Sequence, residues 1–82
     1  MITVNALICA SCGDAIYSRA RHDCRSCTCG DIYVDGGFDY VRAGFRDKSP
    51  ENVKIEVDAT KQVLYNDWNN RIDKFGLIRH YK

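Results

Sequence analysis

All five cysteines of this 82-residue chain fall within "CASCGDAIYSRARHDCRSCTCGD", residues 9–31. No other feature constrains the fold as strongly. A chain this short gains on the order of 3–5 kcal/mol from its apolar core, so some staple is needed. Five thiols cannot all pair with one another, whereas four close a tetrahedral metal site and leave one over. The opening "MITVNALICA" is apolar but carries no basic segment ahead of it, so it is expected to be neither a secretory signal nor a membrane span. The chain is therefore expected in the cytoplasm, where paired cysteines point to metal before disulfides.

Cys9-x-x-Cys12-Gly13 has the form of a metal knuckle, a tight turn whose backbone N–H groups can reach the thiolate sulfurs and whose glycine suits the closing conformation. The second half of the site admits alternatives. Cys24-x-x-Cys27 has the conventional spacing, but Thr28 follows it; Cys27-x-Cys29-Gly30 is tighter and repeats the Cys-Gly ending of the first knuckle. His22 is a further candidate ligand. We favour Cys9, Cys12, Cys27 and Cys29 around one structural zinc ion, with Cys24 spare. A thioredoxin-like redox pair would need a helix N-terminus in a βαβ setting, and none is visible. Four cysteines around one ion leave no open position for a catalytic water, so no enzymatic activity is expected.

The alternation of Ile2, Val4, Ala6 and Ile8 predicts a strand feeding the first knuckle. "DIYVDGGFDYVRAGF" predicts a hairpin over 31–45, two strands around Asp35-Gly36-Gly37. "VKIEV" alternates cleanly and predicts a strand over 53–57. A helix is expected over 59–75, capped by Asp58 and stopped at Gly76, with Leu64, Trp68, Ile72 and Phe75 as its apolar stripe. Asp67 and Arg71 would then pair on its outer face. "LIRHYK" is left as a tail that docks or frays. The expected architecture is one α+β domain over 1–82: a small zinc ribbon, its metal site within 9–29, extended by antiparallel β-strands and closed by one C-terminal helix.

With 12 basic against 11 acidic residues spread over both halves, the net charge of +1 gives no global nucleic-acid footprint. A local one remains in the loop between the knuckles. Arg19, Arg21, His22 and Arg25 make that loop the candidate partner-binding surface, suited to an acidic protein or a nucleic acid backbone. The competing expectation is that these arginines pair with Asp14, Asp23 or Asp31 and hold the loop down. Tyr17, Tyr33, Tyr40 and Phe45 could form a stacking platform or fill a small core.

The segment from Cys9 to Arg42 resembles a family of small phage-encoded proteins of unknown function, with the pattern CxxCG, SRxRHD, CxCG and VDGG. The "DWNNRIDKFGLI" segment is similar to a helix ending that accompanies the pattern. The resemblance implies the ligand set Cys9, Cys12, Cys27 and Cys29 and a viral protein acting in a bacterial cytoplasm, and it supplies no activity. The expected function is a zinc-stabilised module that binds, and inhibits or redirects, a host protein such as a defence or transcription component. The alternative is a nucleic-acid-binding regulator using the Arg19–Arg25 loop.

Overall fold

The structure, a computed structural model, describes residues 1–38 and 42–81. Among these residues seven strands form two antiparallel sheets, and one helix follows late in the chain, an α+β arrangement. Strands β1 (Ile2–Ile8), β2 (Ala15–Ile16), β6 (Glu51–Val57) and β7 (Leu77–Ile78) make a four-stranded sheet in the order β6-β1-β2-β7. Strands β3 (Arg25–Ser26), β4 (Ile32–Asp35) and β5 (Arg42–Phe45) make a three-stranded sheet in that order. Helix α1 spans Lys61–Asn69.

Successive side chains on a strand point to opposite faces, and the four-stranded sheet uses both. Val4 and Ala6 on β1, with Tyr17, Ile55, Val57 and Leu64, form one core cluster on the helix side. Leu7 and Cys9, continuing from the same strand on the other face, join Ile16, Cys27, Ile32 and Val34 in a second cluster. The second core thus contains two of the cysteines, and the cysteine-bearing loops are part of the packing between the sheets. Toward β6 that face is open: Thr3, Asn5, Asn52, Lys54 and Glu56 are all exposed.

Several elements differ from expectation. The helix is shorter than 59–75 at both ends. Thr60, not Asp58, caps it, its hydroxyl accepting the Val63 N–H at 3.1 Å. It stops at Asn70 because the Asp67 carboxylate captures the Lys74 and Phe75 N–H groups, each at 2.9 Å, and folds the chain back. Ile72 falls beyond that stop and is 60% exposed, so the apolar stripe is broken. Asp67 is buried rather than paired outside with Arg71, whose φ of 55° already lies in the left-handed region. The expected hairpin pairs Asp35 with Arg42, so its connection runs over 36–41 rather than turning tightly at the glycines; Tyr40 and Val41 lie outside the described residues. The β6 strand starts two residues before the expected 53–57. Of the two alternatives for the C-terminal segment, "LI" takes the docked one, pairing with β2, Ala15 opposite Ile78 and Ile16 opposite Leu77.

Candidate metal centre

The sulfurs of Cys9, Cys12, Cys27 and Cys29 lie within 4.8 Å of one another. Cys9 and Cys29 are 3.6 Å apart, and Cys27 and Cys29 3.4 Å. A disulfide needs about 2.05 Å, so all are free thiols. Sulfurs about 2.3 Å from a shared tetrahedral ion stand roughly 3.8 Å apart, and the observed separations suit that arrangement. Cys24 is exposed and stands outside the group. The group therefore uses the tight Cys27-x-Cys29 pair, and His22, exposed on the intervening loop, is not in it.

Two similar turns hold the sulfurs. In the first, the Cys9 N–H donates to the Asp14 carbonyl at 2.9 Å and Gly13 returns to Cys9 at 2.9 Å. In the second, the Cys27 N–H donates to the Ile32 carbonyl at 3.3 Å and Gly30 returns to Cys27 at 3.0 Å. Both loops close over the same span, but the second reaches its glycine one residue sooner, as its missing spacer residue requires. Gly13 and Gly30 have φ of 79° and 76°, a conformation costly to any residue with a Cβ. The Ser11 N–H approaches the Cys9 sulfur at 3.4 Å.

Each Cys-Gly pair is followed by an aspartate, and both aspartates are buried. They reach across the site in opposite directions. Asp14, after the first knuckle, accepts the Thr28 N–H of the second at 3.0 Å and the His80 N–H of the C-terminal segment at 3.1 Å. Asp31, after the second knuckle, accepts the Ser11 hydroxyl of the first at 3.4 Å and the Asp47 N–H at 3.1 Å. Hydrogen bonding from Thr28 outweighs the opposing effect of burial and holds the Asp14 carboxyl down to about 2. These cross-braces tie the two knuckles to each other beside the cysteine packing. The repeated Cys-Gly-Asp triplet was the sequence signal for them, visible only if the aspartates are taken with the cysteines.

The thiols themselves favour a cation. Burial would raise Cys27, yet hydrogen bonds from the Ile32 backbone and from Cys29 draw it down to about 7. At Cys29 the Asp31 backbone pulls down, but the neighbouring Cys27, Cys9 and Cys12 thiols and desolvation push it up to about 12. Four sulfurs this close cannot all ionise unless a metal ion offsets their repulsion.

The loop between the knuckles divides in two. Arg19 is only 3% exposed, and it borders one groove together with Arg21 and Phe38. It forms a buried fork with Asp23, Nε to Oδ2 at 2.7 Å and Nη2 to Oδ1 at 3.1 Å, and reaches Asp67 at 2.7 Å and Asp73 at 3.1 Å. Burial works against the charge on Arg19, but the carboxylates outweigh it and hold the guanidinium charged. Ser18 braces the same turn through the Ala20 and Asp23 carbonyls. Arg25 is half-buried, 3.8 Å from Asp73. Arg21 and His22 are exposed. Arg21 lines a groove of about 370 Å³ with Phe38, Lys61 and Tyr65, where the Lys61 Nζ lies 5.0 Å from the Phe38 ring centroid. Among the described residues the aromatics do not share one surface: Tyr17 fills the core, and Tyr33 and Phe45, opposite Gly44 and Ile32 respectively, point to different faces. Tyr40 lies outside the described residues.

Residues 1–45 match the family described as Domain of unknown function (DUF7695), more than half of the chain. The chain belongs to that family. The DUF7695 match spans both knuckles, the buried Arg19 turn and the three-stranded sheet, and it ends before β6 and α1. No curated protein matches the chain, and no solved structure matches it. Among the described residues no helix is long and apolar enough to cross a membrane.

Proposed function

We propose that this DUF7695 protein holds one structural zinc ion through Cys9, Cys12, Cys27 and Cys29 and acts as a small, non-catalytic binding module for a protein partner. The observation that carries the metal half is the set of four sulfurs within 4.8 Å of one another, set between two cross-braced knuckles. Thiolates select soft or borderline ions, and an all-cysteine tetrahedral set is the structural zinc arrangement. All four donors would be consumed by the ion, leaving no position for a reacting water. Zinc bound this way would add on the order of 10–16 kcal/mol to folding, the staple that so short a chain requires.

The binding half rests on what the fold leaves outside. With Arg19 consumed internally, the cationic loop is reduced to Arg21, His22 and the half-buried Arg25, which weakens the case for a phosphate-tracking surface. The groove of Arg21, Phe38, Lys61 and Tyr65 mixes cations with aromatic faces, the composition of a protein-binding hot spot. We place the protein in the cytoplasm, and in a bacterial host cytoplasm if it is phage-encoded, with a host defence or transcription component as its partner.

Metal analysis of protein purified without added metal should give one zinc per chain and a colourless solution; a red iron–thiolate spectrum would overturn the zinc assignment. A tagged pull-down from bacterial lysate with nuclease, comparing wild type with Lys61→Glu and Tyr65→Ala, tests the binding half. One protein retained by wild type and lost from both variants is expected. Capture abolished by nuclease would point instead to nucleic acid.

A further inference from the structure

The β6 edge of the four-stranded sheet carries an unusual symmetry. Its sequence Val53-Lys54-Ile55-Glu56-Val57 reads the same from either end in size and apolarity, with the sign of the charge reversed about Ile55. β6 is seven residues long and ends the sheet order, paired with β1 on one side only among the described residues. On that side Lys54 and Glu56 meet neutral residues, Lys54 opposite Asn5 and Glu56 opposite Thr3, while Glu51 at the start of the strand lies opposite Ile8. Among the described residues neither Lys54 nor Glu56 enters an ion pair. Both are exposed, on the face that the second core leaves uncovered.

We infer that β6 is a self-association edge, on which a second copy of this chain adds its own β6 antiparallel about a two-fold axis through Ile55. In that register Lys54 faces Glu56 of the second copy and Glu56 faces its Lys54, so two opposite-charge cross-strand pairs form on the open face. Val53 faces Val57, and Ile55 faces Ile55, on the helix side, which continues the apolar layer of the helix-side core. Antiparallel cross-strand pairs of these kinds are favourable and like charges directly opposite are not. Slipping the register by one residue would bring apolar side chains to the open face. A long edge is ordinarily blunted by lysine; here Glu56 supplies the partner that undoes the protection when two copies meet. The other substantial edge, β5, offers no such match, because self-pairing would place Arg42 opposite Phe45. The occupant is therefore a second copy rather than an arbitrary strand. A single strand pairing buries less than the ~1,200 Å² of a stable interface, so the dimer is weak and concentration-dependent.

Sedimentation velocity on the intact metal-loaded protein, from micromolar to millimolar at low salt, tests this. Wild type should pass from monomer to dimer across that range. Lys54→Glu and Glu56→Lys each place like charges opposite one another at both positions and should weaken dimerisation by on the order of tenfold. The double swap, Lys54→Glu with Glu56→Lys, restores opposite charges and should restore the dimer. Circular dichroism and metal content verify that each variant is folded, and a variant that fails to fold is replaced by Lys54→Gln or Glu56→Gln, which should weaken the dimer less. A wild type that stays monomeric at millimolar concentration overturns the inference. So does a dimer indifferent to the single changes, or a double swap that fails to recover it.

Discussion

Replacing Arg19 by methionine tests whether this residue is part of the structure or part of a surface. The substitution keeps a long apolar stem but removes four side-chain hydrogen bonds, two to Asp23 and one each to Asp67 and Asp73. Asp73 is 57% exposed and water can replace its lost partner, whereas the Asp23 and Asp67 side chains are 4% and 3% exposed and keep their charges in the interior. Removing one side of a buried ion pair costs about 3–5 kcal/mol. Asp67 still receives the Lys74 and Phe75 N–H groups and Asp23 still receives the residue 19 N–H, which places the expected loss near the lower end, about 3 kcal/mol. For a domain of this length that is a large share of the ~4–12 kcal/mol available before metal is counted.

Urea unfolding of metal-loaded protein, followed by the single tryptophan, Trp68, on α1, reads this loss directly. At a slope of about 1 kcal/mol per molar urea the midpoint should fall by about 3 M. The pH dependence gives a second arm with an unambiguous sign. In wild type, burial alone would raise the Asp67 carboxyl, but Arg19 and the two N–H groups outweigh it and hold the group below its ordinary value. Its contribution is therefore complete above the unfolded carboxylate range, near 4, and is lost only as pH falls through the lower folded value. Without Arg19, desolvation is opposed only by the N–H groups, the folded value rises, and the variant should recover stability on going from pH 7 to pH 5. A midpoint shift under about 1 M, or a variant whose stability does not respond to mild acid, would refute the claim that Arg19 is a buried structural charge.

Three further outcomes follow from the same contacts. Cys24→Ser should retain the full complement of zinc, while Cys29→Ser should lose it or hold it so weakly that a chelator strips it at once; metal analysis after desalting separates them. Asp14→Asn keeps one acceptor for the Thr28 and His80 N–H groups but turns an amide donor toward the other, so we expect about 2 kcal/mol of destabilisation by urea unfolding and faster zinc release to a colorimetric chelator. Gly76→Ala forces a Cβ to within 2.9 Å of the Arg25 Nε and 3.2 Å of the Arg19 Nε at a φ of +98°, and should lower the thermal midpoint by several degrees, with the zinc content unchanged.

What could be seen in the sequence was what short-range rules govern. The two Cys-Gly knuckles, the alternating β1 and β6 strands and a capped helix after residue 57 are each specified by neighbours within a few residues, and each forms. The local misses are small, a cap two residues late at Thr60 and a longer connection between β4 and β5; the consequential failure is at long range. Asp67 and Arg71 are an i,i+4 pair by spacing, but Asp67 turns inward because Arg19, 48 positions earlier, arrives from the other side of the fold. That single choice shortens the helix, exposes Ile72 and frees the following segment to return as β7. Nothing within one helical turn of Asp67 encodes it.

Long-range packing also explains why the cysteine loops occupy a core rather than a surface. Leu7 and Cys9 continue from one face of β1 into the second cluster, while Val4 and Ala6 from the other face fill the first. A strand that serves two cores cannot shift register without damaging both. The cross-braces of Asp14 and Asp31 extend that constraint to the knuckles themselves, because each aspartate is anchored on one loop and bonded to the other. The four sulfurs are therefore brought together by the sheet and the aspartates jointly. An ion that binds them gains from a site already arranged, and its affinity should fall when either aspartate is lost even though neither would touch the metal.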